Sequence, residues 1–69
     1  MKRDHSRYVG SRLLTVRELQ SRLNCSRTVA YELIAKRALP SIRLGTAIRV
    51  PEVAVDDFIL SQLADGDVE

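Results

Sequence analysis

A chain of 69 residues holds one domain at most, and a domain so small buries a thin core near the limit of independent stability. With 45% hydrophobic and 29% charged residues it suits a soluble globular protein better than a disordered one. Its single cysteine excludes an internal disulfide, and no apolar run nears the roughly 20 residues of a membrane span.

The net charge of +2 conceals a division. All 11 Lys and Arg lie in residues 1–50 with three acids, Asp4, Glu18 and Glu32; residues 51–69 hold six acids and no base. That split, +8 against −6, points to a polyanion-binding face and an acidic end turned elsewhere. Residues 1–12 are basic and polar without periodicity and read as a flexible arm; "MKRDHSRYVGSR" lacks the apolar core of a signal peptide. The folded domain is expected over 13–63. In "LLTVRELQSRL", Thr15 is a good N-cap and Glu18 completes a capping box. Leu14 and Leu19 are placed for a hydrophobic staple, and Val16, Leu19 and Leu23 share one face. The spacing predicts a helix from Val16 to about Leu23, closed by Asn24 in the left-handed conformation.

Ser26 is the next N-cap. In the helix that follows, Ala30, Leu33, Ile34 and Arg37 form one stripe with Val29 at its edge. The opposite side offers Arg27, Thr28, Tyr31, Ala35 and Lys36. Two short helices about three residues apart form a helix-turn-helix, whose second helix enters the DNA major groove.

Pro40 stops further helix and the period changes to two. Placing Ile42, Leu44, Ile48 and Val50 on one face requires Leu44 opposite Ile48 and Ile42 opposite Val50. The loop is then Gly45-Thr46-Ala47, and Arg43 faces Arg49. Like charges so placed repel, and a phosphate beside them removes the penalty; Gly45 keeps the tip narrow and Thr46 offers a hydroxyl. The other reading is a solvated pair of arginines.

Pro51 suits the first turn of a last helix, with Val55, Phe58, Ile59 and Leu63 toward the core. Val53 and Leu60 point to another side, and residues 64–69 read as an acidic, disordered tail. The expected fold is mainly α with a small β-hairpin, a winged helix-turn-helix with a two-stranded wing.

From "LLTVREL" through "SRTVAYELI", "ALP", the hairpin around Gly45 and "IRVPEV", residues 13–60 resemble the excisionase family, with its MerR-like winged helix-turn-helix. The resemblance implies a phage- or mobile-element-encoded factor that binds attachment-site DNA, cooperatively and with bending, and directs an integrase toward excision. Carried over, Ser26, Arg27, Thr28 and Tyr31 are recognition-helix contacts and Arg43 and Arg49 wing contacts. The chain departs from many relatives at Thr46-Ala47, where they carry basic residues, at Ile48, where they carry an aromatic one, and at Arg37, where glycine is usual.

Among these residues Arg27 suits a guanine edge or a phosphate, and Thr28 and Tyr31 suit bases, sugars or thymine methyls, Tyr31 with the alternative of a core role. Ser26 is a cap near phosphate; Lys36, Arg17 and Arg22 suit the DNA backbone or open solvent. Cys25 packs the turn, and neither it nor His5 has the neighbours of a metal site. With no nucleophile–base arrangement, the chain reads as a non-enzyme without cofactor, acting on DNA in the bacterial cytoplasm and off the membrane. Val53, Asp57 and Leu60 are candidates for a protomer interface on DNA. The alternatives are a small winged-helix transcriptional regulator binding a promoter, and a protein-interaction module.

Overall fold

The computed structural model describes residues 8–65; the start of the arm (1–7, with His5) and the end of the tail (66–69) lie outside the described residues. The order is β1 (Leu13–Leu14), α1 (Val16–Leu23), α2 (Arg27–Ala35), β2 (Ile42–Leu44), β3 (Ala47–Pro51) and α3 (Glu52–Asp65). This is a winged helix-turn-helix, with one strand more than the sequence reading expected. β1 pairs antiparallel with β3, Leu13 opposite Pro51 and Leu14 opposite Val50, giving the order β1-β3-β2.

The capping box opens α1: Thr15 Oγ1 accepts the Glu18 N–H at 3.0 Å, and Glu18 Oε1 accepts the Thr15 N–H at 2.9 Å. Leu14 and Leu19 are both fully buried, so the staple also joins helix to sheet. Asn24 closes α1 at φ 53°, ψ 51°. Leu14, Val16, Leu19, Ala30, Leu39, Val50 and Val55 form the core, with Leu23, Cys25, Leu33, Ile34, Ile48, Phe58 and Ile59 packed around it.

The hairpin register differs from the expected one. Leu44 lies opposite Ala47, Arg43 opposite Ile48, and Ile42 opposite Arg49, around a two-residue Gly45-Thr46 turn. Gly45, first in the turn, has φ +65°, as a II′ turn requires, and such turns match the twist of paired strands. Arg43 and Arg49 therefore occupy opposite faces. Only Ile48 and Val50 turn inward, while Ile42 and Leu44 stay 42% and 53% exposed. Two inward side chains suffice because β1 brings Leu14 to the same core.

Three further expectations change. Arg37 is not on the buried stripe: α2 ends before it, and Arg37 sits at φ 65° in a Schellman turn, where Ala38 N–H reaches Leu33 O at 2.9 Å and Arg37 N–H reaches Ile34 O at 3.1 Å. Pro51 ends β3 rather than opening α3. Leu63 is 66% exposed, off the core. The start of α3 is satisfied from residues ahead of β1, with Glu52 N–H donating to Arg12 O at 2.8 Å and Val53 N–H to Ser11 Oγ at 3.1 Å.

Candidate nucleic-acid interface

α2 carries its apolar side, Ala30, Leu33 and Ile34, against the core and leaves the other bare. Ser26 begins it as a cap, its Oγ accepting the Val29 N–H at 3.2 Å. Thr28, Glu32 and Ala35, three and four residues apart, run down the middle of the solvent face. Arg27 and Tyr31 flank them on one side, and these five residues line one shallow depression. Lys36, exposed, is the C-cap at the far end.

Arg27 and Tyr31 form an i, i+4 pair. The guanidinium carbon lies 5.4 Å from the ring centroid, and Nη2 approaches the phenol oxygen at 3.5 Å. Tyr31 is 37% exposed, so it belongs to the surface rather than to the core.

A second depression joins the end of α2 to the wing, with Arg37, Ser41 and Arg43 on its rim. The register that separates Arg43 from Arg49 thus brings Arg43 to the same hollow as Arg37. Arg49 is half-buried on the other face; its Nη1 donates to Ile48 O at 3.0 Å. Gly45 and Thr46 form the exposed tip.

The remaining cations divide clearly. Arg12 pairs with Glu18 at 2.9 Å, and Arg22 with Glu52 at 3.2 Å and Asp56 at 2.7 Å. Arg22, read as a DNA-backbone contact or a solvated residue, instead ties α1 to α3 and is held above its usual range, chiefly by the Asp56 hydrogen bond. Glu18 is held below the carboxylate range by the Thr15 N–H and by Arg12, with a smaller contribution from Arg49. Among the described residues Arg17, Arg27, Lys36, Arg37, Arg43 and Arg49 make no ion pair, and all but Arg17 lie on α2, its closing turn or the wing, Arg49 on the wing's other face.

On α3, Val53, Asp57 and Leu60 fall on one stripe. Val53 and Asp57 are half-buried and Leu60 is 64% exposed, because the helix outruns the domain at its end. Sequence reasoning passed over Glu32, although its spacing of four from Thr28 places it on the outward face. It also missed the Arg37–Arg43 hollow, which the register creates.

Residues 13–63 match the family model for a helix-turn-helix domain. The chain is 48% identical over 54 residues to a protein of Streptomyces ambofaciens named "Excisionase", covering 78% of this chain and 87% of that one. It is 38% identical over 52 residues to a "Probable excisionase" of Saccharopolyspora erythraea, covering 75% of this chain and 53% of the relative. No solved structure matches the chain. With the matched segment spanning both helices, the wing and most of α3, the chain belongs to the excisionase family and carries a helix-turn-helix DNA-binding domain.

Proposed function

We propose that the protein binds attachment-site DNA sequence-specifically and directs an integrase toward excision, doing no bond chemistry itself. α2 enters the major groove with Arg27 and Thr28 toward the bases, with Tyr31 holding the Arg27 head in place, and with Ser26 and Lys36 near phosphates at its two ends. Arg43, Gly45 and Thr46 lie along the DNA backbone, joined by Arg37. Arg49, on the far face of the wing, adds to the field rather than contacting phosphate.

The observation that carries this reading is the grouping of cations without acid partners on the bare side of α2 and the near face of the wing, while Arg12 and Arg22 are taken up internally. Phosphate contacts of this kind release counterions, so affinity falls with salt in proportion to their number. Several protomers sit side by side on the site and bend it, with the α3 stripe of Val53, Asp57 and Leu60 against the next protomer.

Selection of random duplexes by the purified protein tests the reading. Short sites repeated at about one helical turn are expected. Added to integrase and an integrated element, the protein is expected to raise excision. Retention of no duplex at any salt overturns it; a single promoter-type site with no effect on excision favours a transcriptional regulator.

A further inference from the structure

We propose that Glu32 is a specificity-determining residue: its carboxylate accepts the N4 amino group of a cytosine in the major groove. The inference rests on the DNA-binding reading of α2 given above. Glu32 is exposed and central on the outward face of that helix, in the same depression as Arg27, Thr28 and Tyr31. A side chain there meets the groove floor when the helix docks.

The carboxylate is also uncommitted. Glu18, Glu52 and Asp56 are each held by an arginine, whereas no cation among the described residues pairs with Glu32. Lys36 stands at the i+4 position, in the order that favours a helix ion pair, yet the two make none. Arg27 is turned to Tyr31 instead.

A free carboxylate in the middle of a surface that approaches a polyanion opposes binding to every duplex alike. Only a donor on the DNA offsets that repulsion. Thymine and guanine present acceptors in the major groove, and adenine sets its N6 amino beside the N7 acceptor. Cytosine alone presents a donor with no acceptor next to it on the same base. Glu32 therefore selects cytosine and rejects unrelated sequences, which is discrimination by repulsion as much as by attraction.

The test compares the wild-type chain with Glu32→Gln and Glu32→Ala, all full length. Because the Glu32 carboxylate has no partner among the described residues, both variants are expected to keep the wild-type circular dichroism spectrum and melting temperature. Random-duplex selection by the wild type is expected to fix a cytosine at one position. Replacing that base pair weakens wild-type binding about tenfold and Glu32→Ala less than about twofold. Glu32→Gln is expected to exchange cytosine for adenine there, since an amide matches N6 and N7 together. Glu32→Ala is expected to bind unrelated duplex several-fold more tightly. A Glu32→Ala site identical to the wild-type one, or a wild-type site in which Glu32 governs a base other than cytosine, overturns the inference and leaves DNA binding standing. A wild type that retains no duplex overturns both, and the two failures are thereby distinct.

Discussion

The Arg27 guanidinium lies over the Tyr31 ring, 5.4 Å from carbon to centroid, with the two residues one helical turn apart on the exposed side of α2. Arginine has many rotamers and loses them when it contacts DNA. A ring beneath it fixes the head in advance, so less freedom is lost on binding. The phenol oxygen, 3.5 Å from Nη2, adds little at that distance. The ring rather than the hydroxyl holds the arginine.

Tyr31→Phe is therefore expected to bind its selected site like the wild type. Tyr31→Ala is expected to weaken binding by about 0.5–1 kcal/mol, the strength of an exposed cation–π contact. In an Arg27→Ala background the Tyr31→Ala effect disappears, as a double-mutant cycle on duplex affinity shows. Equal losses in both backgrounds would mean that Tyr31 touches DNA independently of Arg27.

The wing arginines separate in the same way. Arg43 shares a hollow with Arg37 on the side of α2, and Arg49 lies across the strand on the other face. Arg43→Ala is expected to lower affinity for all duplexes and to flatten the plot of log affinity against log salt by about 0.9, one phosphate contact. Arg49→Ala leaves that slope unchanged.

How far these features were legible in the sequence depended on how local they are. Thr15 with Glu18, Leu14 with Leu19, Asn24 and Ser26 mark the ends of α1 and the start of α2 through contacts within five residues, and all take those roles. The register of the wing was not legible from period alone. The four aliphatics of the hairpin favour a three-residue loop if the hairpin must supply four core side chains. It supplies two, because Leu14 arrives from β1, and a strand of two residues shows no period. Glu32 is legible as outward from its spacing to Thr28, but its charge has the opposite sign to the cations that mark a DNA-facing surface.

Arg37 occupies the left-handed conformation at φ 65°, which costs a residue with a Cβ about 1–2 kcal/mol relative to glycine. Arg37→Gly is expected to stabilise the free protein by about 1 kcal/mol in urea unfolding. The same substitution removes a cation from the hollow it shares with Arg43, so the salt slope of DNA binding is expected to fall by about 0.9. A variant both more stable and unchanged in salt slope would leave Arg37 out of the DNA contact.

The exposed end of the α3 stripe provides a test of self-association that spares the fold. Leu60 is 64% exposed, whereas Val53 is half-buried and its N–H is bound by Ser11. Leu60→Asp is expected to keep the wild-type melting temperature and affinity for a single site. On DNA with several sites its binding curve is expected to lose its cooperative steepness. A curve as steep as the wild type's removes Leu60 from the protomer contact.

Glu18 ties the acid stability of the fold to the start of α1. Its carboxylate accepts the Thr15 N–H and pairs with Arg12, so it titrates below its ordinary 4.5 in the folded chain. The unfolded chain thus takes up the proton first as pH falls. The stabilisation is complete above the unfolded value and is lost as pH drops through the lower folded value. Glu18→Gln keeps an oxygen for the Thr15 N–H but removes the charge. In urea unfolding followed from pH 6 downward, the wild type is expected to lose stability below about pH 4.5, with Glu18→Gln losing less over the same range. Above that range the variant is the less stable of the two, because the attraction of Arg12 is gone. Parallel pH profiles for the two proteins would show that the Thr15 cap, rather than the Glu18 charge, secures the helix.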